Sequence, residues 1–247
     1  MFQESSGGGM GVRDATISGS RLLLVDDDPA LLLALSGTLQ NRLGPCTIDA
    51  CESGMQALDL VKAHPYDTII SDVRMPGMNG WQFLRAVKQS RSDTPVFLMS
   101  GSADHAVMKE ALEAGATGFF AKPFDRDEFV RTVREGLVLS RLKSMQAMEH
   151  ALISRAECHH ATLVEKLHQH DGAYAMLATN THVPGTPQPV DPAWQRRIDY
   201  RSTVVRHMAI LNKFLLNLTE IHSRTSSRLS AVQENIRRHV LTSLLGR

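Results

Sequence analysis

The sequence is poor in the features that announce most chemistries. It has three cysteines, Cys46, Cys51 and Cys158, and no C-x-x-C pair. An odd, scattered set argues against a disulfide framework and fits a reducing cytoplasm. No run of 18 apolar residues occurs, so no membrane span is expected. The opening segment, MFQESSGGGMGVRDATISGS, lacks the apolar stretch of a secretion signal and is rich in Gly and Ser. Residues 1–20 are therefore expected to be a disordered tail. Residues 140–247 hold no Gly-rich nucleotide loop, helix-turn-helix pattern or cyclic-nucleotide enzyme signature. A net charge of +1 names no partner. Its distribution is uneven, with 10 Lys+Arg against 15 Asp+Glu in residues 1–125 and 10 against 3 in residues 194–247. An acidic front and a basic tail indicate two parts with different tasks.

What is present falls into two patterns. From Arg21 to about Arg134, strand-length apolar runs at 22–25, 48–51, 68–70, 96–99 and 118–121 alternate with helix start signals. Asp28-Pro29 reads as an N-cap with proline at the first helical position. Ser53 with Gln56 reads as a capping box, and Asp104 and Asp125 read as further caps. Five such alternations predict an α/β fold with a doubly wound, five-stranded parallel sheet. Beyond residue 135 the strand signals stop. Residues 125–170 read as one helix containing only Gly136 as a breaker. A loop is expected from about Asp171 to Pro192, Pro-rich over residues 180–192, where Pro184, Pro187, Pro189 and Pro192 exclude regular structure. Residues 192–245 read as a second long helix. Positions 204, 208, 211, 215, 218, 222, 225, 229, 232, 236, 240 and 243 follow 3–4 spacing, a coiled-coil-like seam interrupted by His222, Thr225 and Ser243. The predicted organisation is a tail (1–20), an α/β domain (21–135) and a helical region (136–247).

Four polar signals close the predicted strands: Asp26 and Asp27 after the first, Asp72 after the third, Ser100 after the fourth, and Lys122-Pro123 after the fifth. In doubly wound sheets, ligands bind at the carboxyl ends of the strands near the switch in strand order. Several carboxylates converging there need a cation, and an oxygen-only donor set with room for water suits Mg2+. Asp72 is then the candidate nucleophile toward a phosphoryl group. Lys122 would pair with one phosphoryl oxygen, and the Ser100 hydroxyl would donate to another. Gly77 and Gly80 permit a tight loop beside the site.

The ordered strings VDDD, SDVRMPGMNG, VFLMSGSA and GATGFFAKPF resemble the receiver domain of bacterial two-component response regulators, over about residues 21–135. The resemblance implies a flavodoxin-like fold, Asp72 as phospho-acceptor, and Mg2+ held by the Asp26/Asp27 acidic pair, Asp72 and the backbone carbonyl of Arg74. It implies Ser100 and Phe119 as a switch pair. Phe119 has no hydroxyl, so its part would be packing alone. It implies a cis Lys122-Pro123 bond, a sensor histidine kinase or phosphotransfer protein as donor, and no enzymatic activity beyond self-phosphorylation and dephosphorylation.

For the helical region, the expected output is protein–protein contact with an effector. A homodimer closing a four-helix bundle would cover the apolar side chains left over by the hairpin: Leu142, Met145, Leu152, Leu163, Leu167, Ile210, Phe214, Leu216, Ile221 and Leu241. The alternatives are nucleic-acid binding through the basic last helix and a helical phosphatase or phosphotransfer module using Gln195, Gln233 or His207. Cys158, His159, His160, His168 and His170 form no fixed metal spacing, and solvated helix histidines are the reading there.

Overall fold

The computed structural model describes residues 17–101, 105–179 and 192–244. Five strands alternate with helices: β1 (Arg21–Val25), α1 (Pro29–Leu43), β2 (Thr47–Cys51), α2 (Gly54–Ala63), β3 (Thr68–Asp72), α3 (Gly80–Ser90), β4 (Val96–Ser100), α4 (His105–Glu113) and β5 (Gly118–Ala121). Two long helices follow, α5 (Arg126–Thr179) and α6 (Pro192–Leu244). All strand pairs are parallel, in the order β2-β1-β3-β4-β5. The chain leaves β1 toward β2 on one side, then crosses to β3 on the other. The switch point therefore lies between the carboxyl ends of β1 and β3, the doubly wound arrangement that the alternation predicts.

The sheet is apolar on both faces because alternate residues of each strand serve different cores. Leu23, Val25, Ile69 and Leu98 pack with Ala57, Val61, Phe83, Leu84, Val87 and Met108 on one face. Leu22, Leu24, Ile70, Phe97 and Met99 pack with Leu35, Leu39, Phe129, Val133 and Leu137 on the other. Gly136, the breaker inside α5, has a packing reason: a Cβ there would lie 2.6 Å from Phe97 Cε2. The caps behave as their side chains dictate. Asp28 accepts from the Ala30 and Leu31 amides, Ser53 from Gln56, and Asp125 from Asp127 and Glu128. Asp104 lies outside the described residues.

Two expectations need correction. Residues 17–20 were assigned to a disordered tail, yet Ile17 is fully buried in the core that holds Leu22 and Leu24. Its burial and the bonds from Gly19 N–H to the Pro45 carbonyl and from Thr47 N–H to the Ser20 carbonyl order this segment. Helix α5 also continues past residue 170 to Thr179. Ala173, Ala175, Met176, Leu177 and Ala178 are strong helix formers, and Gly172 opposes them by only about 1 kcal/mol.

The chain forms two units, residues 1–144 with 228–247, and residues 145–227. In the first, Leu229, Val232 and Ile236 of α6 join the core containing Leu35, Leu39, Phe129 and Val133. In the second, α5 and α6 run antiparallel, as Gln146 bonding Ser226 and Glu149 bonding Thr225 require when His159 and Leu211 line one groove. Every position of the predicted seam from 204 to 236 is buried or half-buried, while nearly all other described α6 side chains are exposed. Across from it on α5 lie Gln146, Glu149, Ile153, Ala156, His160, Leu163 and Leu167, again at 3–4 spacing. Leu142, expected to remain exposed, is 2% exposed, and Leu163 and Leu167 are half-buried, because they fall on this same stripe. Among the described residues no helix is long and apolar enough to cross a membrane.

Candidate functional site at the switch point

The site is built on the ends of β1, β3, β4 and β5. Asp26 follows β1 and is 1% exposed; Asp72 ends β3 and is 6% exposed. Lys122, just after β5, reaches both: Nζ lies 2.6 Å from Asp26 Oδ2 and 2.5 Å from Asp72 Oδ1. The remaining oxygens are held by backbone amides. Asp28 N–H donates to Asp26 Oδ1 at 3.0 Å, and Arg74 N–H donates to Asp72 Oδ2 at 2.5 Å. The Lys122-Pro123 peptide bond is cis, as the resemblance implies.

The loop between β3 and α3 fits around Asp72 because two glycines allow it. Gly77 has φ +74, and a Cβ on Gly80 would collide with the Asp72 carbonyl oxygen and lie 2.8 Å from Val73 Cα. Asn79 and Gln82 close a capping box at the start of α3.

Charge is unbalanced here: two buried carboxylates share one ammonium. Burial pushes the Asp26 carboxyl above the usual range, and the bonds from Lys122 and the Asp28 amide offset this only in part. Burial alone would lower the Lys122 ammonium, but its bonds to Asp26 and Asp72 outweigh that and hold it above an ordinary lysine. The lysine rises because two carboxylates bond it, whereas Asp26 rises chiefly because it is buried, with the Asp72 charge adding to that in small part.

The other candidates are distributed around this triad. Asp27 and Arg74 are exposed beside it. Ser100 is buried at the end of β4, 2% exposed. Phe119 is 3% exposed and belongs to the core cluster that holds Met108 and Ala111 of α4. Among the described residues no three His, Cys, Asp or Glu side chains form a metal cluster. Mg2+ is commonly held by one or two carboxylates with water completing its shell, and the pair Asp26 and Asp72, sharing one ammonium, offers carboxylate oxygens of that kind.

The family described as the response regulator receiver domain matches residues 22–134. Residues 22–134 are a response regulator receiver domain. This chain is similar to several curated proteins. These include the C4-dicarboxylate transport transcriptional regulatory protein DctD of Pseudomonas aeruginosa, 31% identical over 67% of this chain and 37% of that one. The DNA-binding transcriptional regulator NtrC of Klebsiella pneumoniae is 36% identical over 44% of this chain and 23% of its own length. The cell cycle response regulator CtrA of Brucella ovis is 30% identical over 46% and 48%. The chain thus spans less than half the length of each of these relatives. Among solved structures, the chemotaxis protein CheY4 of Vibrio cholerae is 30% identical, with a TM-score of 0.45 over 47% of this chain and 98% of that one.

One polar feature outside the receiver escaped the sequence reading. Glu149, on the α5 stripe, is 6% exposed, accepts from Thr225 Oγ1 at 2.8 Å and lies 3.3 Å from His222 Nδ1. His222 and Thr225 were visible as seam interruptions. Their carboxylate partner was not, because a single Glu on a helix reads as a solvated residue.

Proposed function

We propose that the receiver accepts a phosphoryl group on Asp72 from a sensor histidine kinase or phosphotransfer protein and signals through residues 136–247 by protein contact. The observation that carries this reading is the Lys122 ammonium bridging Asp26 and Asp72 at the switch point. An Asp72 carboxylate oxygen attacks phosphorus, the bond from phosphorus to the donor breaks, and the donor leaves with that electron pair. Asp26, Asp27, Asp72 and the Arg74 carbonyl would hold Mg2+, which would supply positive charge to offset the incoming group. Lys122 keeps one contact to Asp26 and turns its other to a phosphoryl oxygen, and the Ser100 hydroxyl donates to a second. Phe119 contributes to the switch by packing. No turnover of a separate substrate belongs to this reading.

Treatment with acetyl phosphate and Mg2+, followed by intact-mass measurement, tests it. One phosphoryl adduct is expected, lost on addition of EDTA and absent in Asp72→Asn. An adduct that persists in Asp72→Asn contradicts the assignment. A second reading, nucleic-acid binding, draws on the similarity to the transcriptional regulators DctD and NtrC and on the exposed Arg206, Lys213, Arg224 and Arg228 of α6. It requires affinity for generic DNA that falls steeply with salt, which a titration at two salt concentrations detects.

A further inference from the structure

We infer that one side of the α5/α6 pair, within residues 145–227, is a docking groove for an acidic amphipathic helix of a partner protein. Five of the large apolar side chains exposed in this unit line up on that side, while Val205 and Leu216 lie off it. On α5, Met145, Leu152 and His159 recur every seventh residue; on α6, His207, Ile210, Phe214 and Ile221 follow 3–4 spacing. Met145, Leu152, Ile210, Phe214 and Ile221 are 40%, 42%, 63%, 46% and 47% exposed. The two series meet in a groove of about 490 Å³ lined by His159, Leu163, His207, Ile210, Leu211 and Phe214. The other side of the same pair carries mainly small or polar residues, Ala147, Ser154, Glu157 and Ala161 on α5 and Asn212, Thr219, Ser223 and Ser226 on α6, with Val205 and Leu216 as apolar exceptions. Helices spaced by an intact seam leave a furrow between them, and a third helix fills such a furrow by setting its ridge into it.

Charge selects the occupant. The outer edges of this side carry Arg155 and Lys166 on α5 and Arg206, Lys213 and Arg224 on α6, all exposed. The acidic residues of these helices sit elsewhere for the most part. Glu149 is inside the seam, Glu157 and Glu165 are on the polar side, and Glu220 is bonded to Arg224; Asp199 alone accompanies the basic edge near the start of α6. A second copy of this chain would set two basic edges against each other, and a flat bilayer would not fill a concave furrow. An amphipathic helix with Leu-like residues at 3–4 spacing and Glu or Asp along its margins satisfies both shape and charge. This goes beyond the phospho-acceptor reading and holds whether or not Asp72 is modified.

The test uses the full chain without phosphodonor. The probes are a fluorescein-labelled helical peptide with Leu at 3–4 spacing and Glu at its margins, and its twin with Lys for Glu. Fluorescence anisotropy should show the Glu peptide binding at least about tenfold more tightly than the Lys peptide, and more weakly in high salt. Phe214→Glu and Ile210→Glu should each weaken it at least about tenfold. Leu216→Glu, at a 71% exposed position off this face, should leave it unchanged. Circular dichroism checks that each variant keeps its helicity, and Ile210→Glu carries the test if Phe214→Glu does not fold. Equal affinity for both peptides, no binding, or binding indifferent to both groove variants overturns the proposal. So does a dimer by light scattering, or co-sedimentation with phosphatidylserine vesicles, that Ile210→Glu abolishes.

Discussion

The receiver and the helical pair of residues 145–227 both bury carboxylates, and they do so to different ends. In the receiver, Asp26 and Asp72 are brought together from strands 46 residues apart in sequence and share one lysine, leaving an excess negative charge. In the helical pair, Glu149 is matched by Thr225 and His222 on the facing helix, so its oxygens are bonded within a continuous apolar stripe. An unbalanced cluster at strand ends is prepared to take up a cation or exchange a partner. A satisfied polar layer in a helical seam specifies register instead. Buried charge is therefore a functional signal only when its stoichiometry is left open.

That contrast can be broken most severely at Lys122. Lys122→Ala leaves two buried carboxylates without their cation and should cost about 3–5 kcal/mol of receiver stability. Chemical denaturation monitored by far-ultraviolet circular dichroism measures it. A change below about 1 kcal/mol would show the triad to be solvated and the contrast to be empty.

Glu149 supplies the matching perturbation in the helical pair. Glu149→Ala removes the carboxylate that Thr225 and His222 bond, leaving the Thr225 hydroxyl only the Ile221 carbonyl, and should destabilise by about 1–3 kcal/mol. The double variant Glu149→Leu with Thr225→Val should recover that loss, because apolar residues can replace a satisfied buried polar set. A double variant less stable than Glu149→Ala would mean the layer does more than fix register.

Asp26→Asn gives the smallest effect, and of the opposite sign. The folded-state pKa of Asp26 is raised above its unfolded value. The folded state therefore binds the proton more tightly, and stability contributed by Asp26 falls as pH rises from its unfolded pKa through its folded one. At neutral pH the charged group is a cost. Removing it leaves a neutral Lys122–Asp72 pair and should raise the melting temperature by about 2–4 °C, with a stability profile that falls less as pH rises above the unfolded pKa of the carboxyl. A lower melting temperature at pH 7 would mean that Lys122 depends on Asp26 more than on Asp72.

The two regions were also unequally legible. The strand runs, the caps at Asp28 and Ser53, and the residues at the ends of β1, β3, β4 and β5 were readable because each is a local signal repeated in a fixed order. The seam was readable from its 3–4 spacing, which burial follows from Val204 to Ile236. Ile17 was not, since a single apolar residue in a Gly- and Ser-rich stretch gives no periodicity, and only the fold shows the cavity that it fills. The end of α5 was misread because Asp171-Gly172 looks like a turn until the helix formers after it are weighed. Glu149 and the groove beside it depend on which residues of two helices face each other. A single stripe on one helix does not contain that information.

The account stands most directly on the residue that carries the phosphoryl group. The full-length chain is treated with acetyl phosphate and Mg2+, the acyl phosphate is trapped by borohydride reduction, and peptides are mapped by mass spectrometry. The account predicts one reduced residue, Asp72, and none when EDTA is present. Modification of Asp26 or Asp27 in its place, or no trapped residue under conditions that keep the receiver folded, would contradict it.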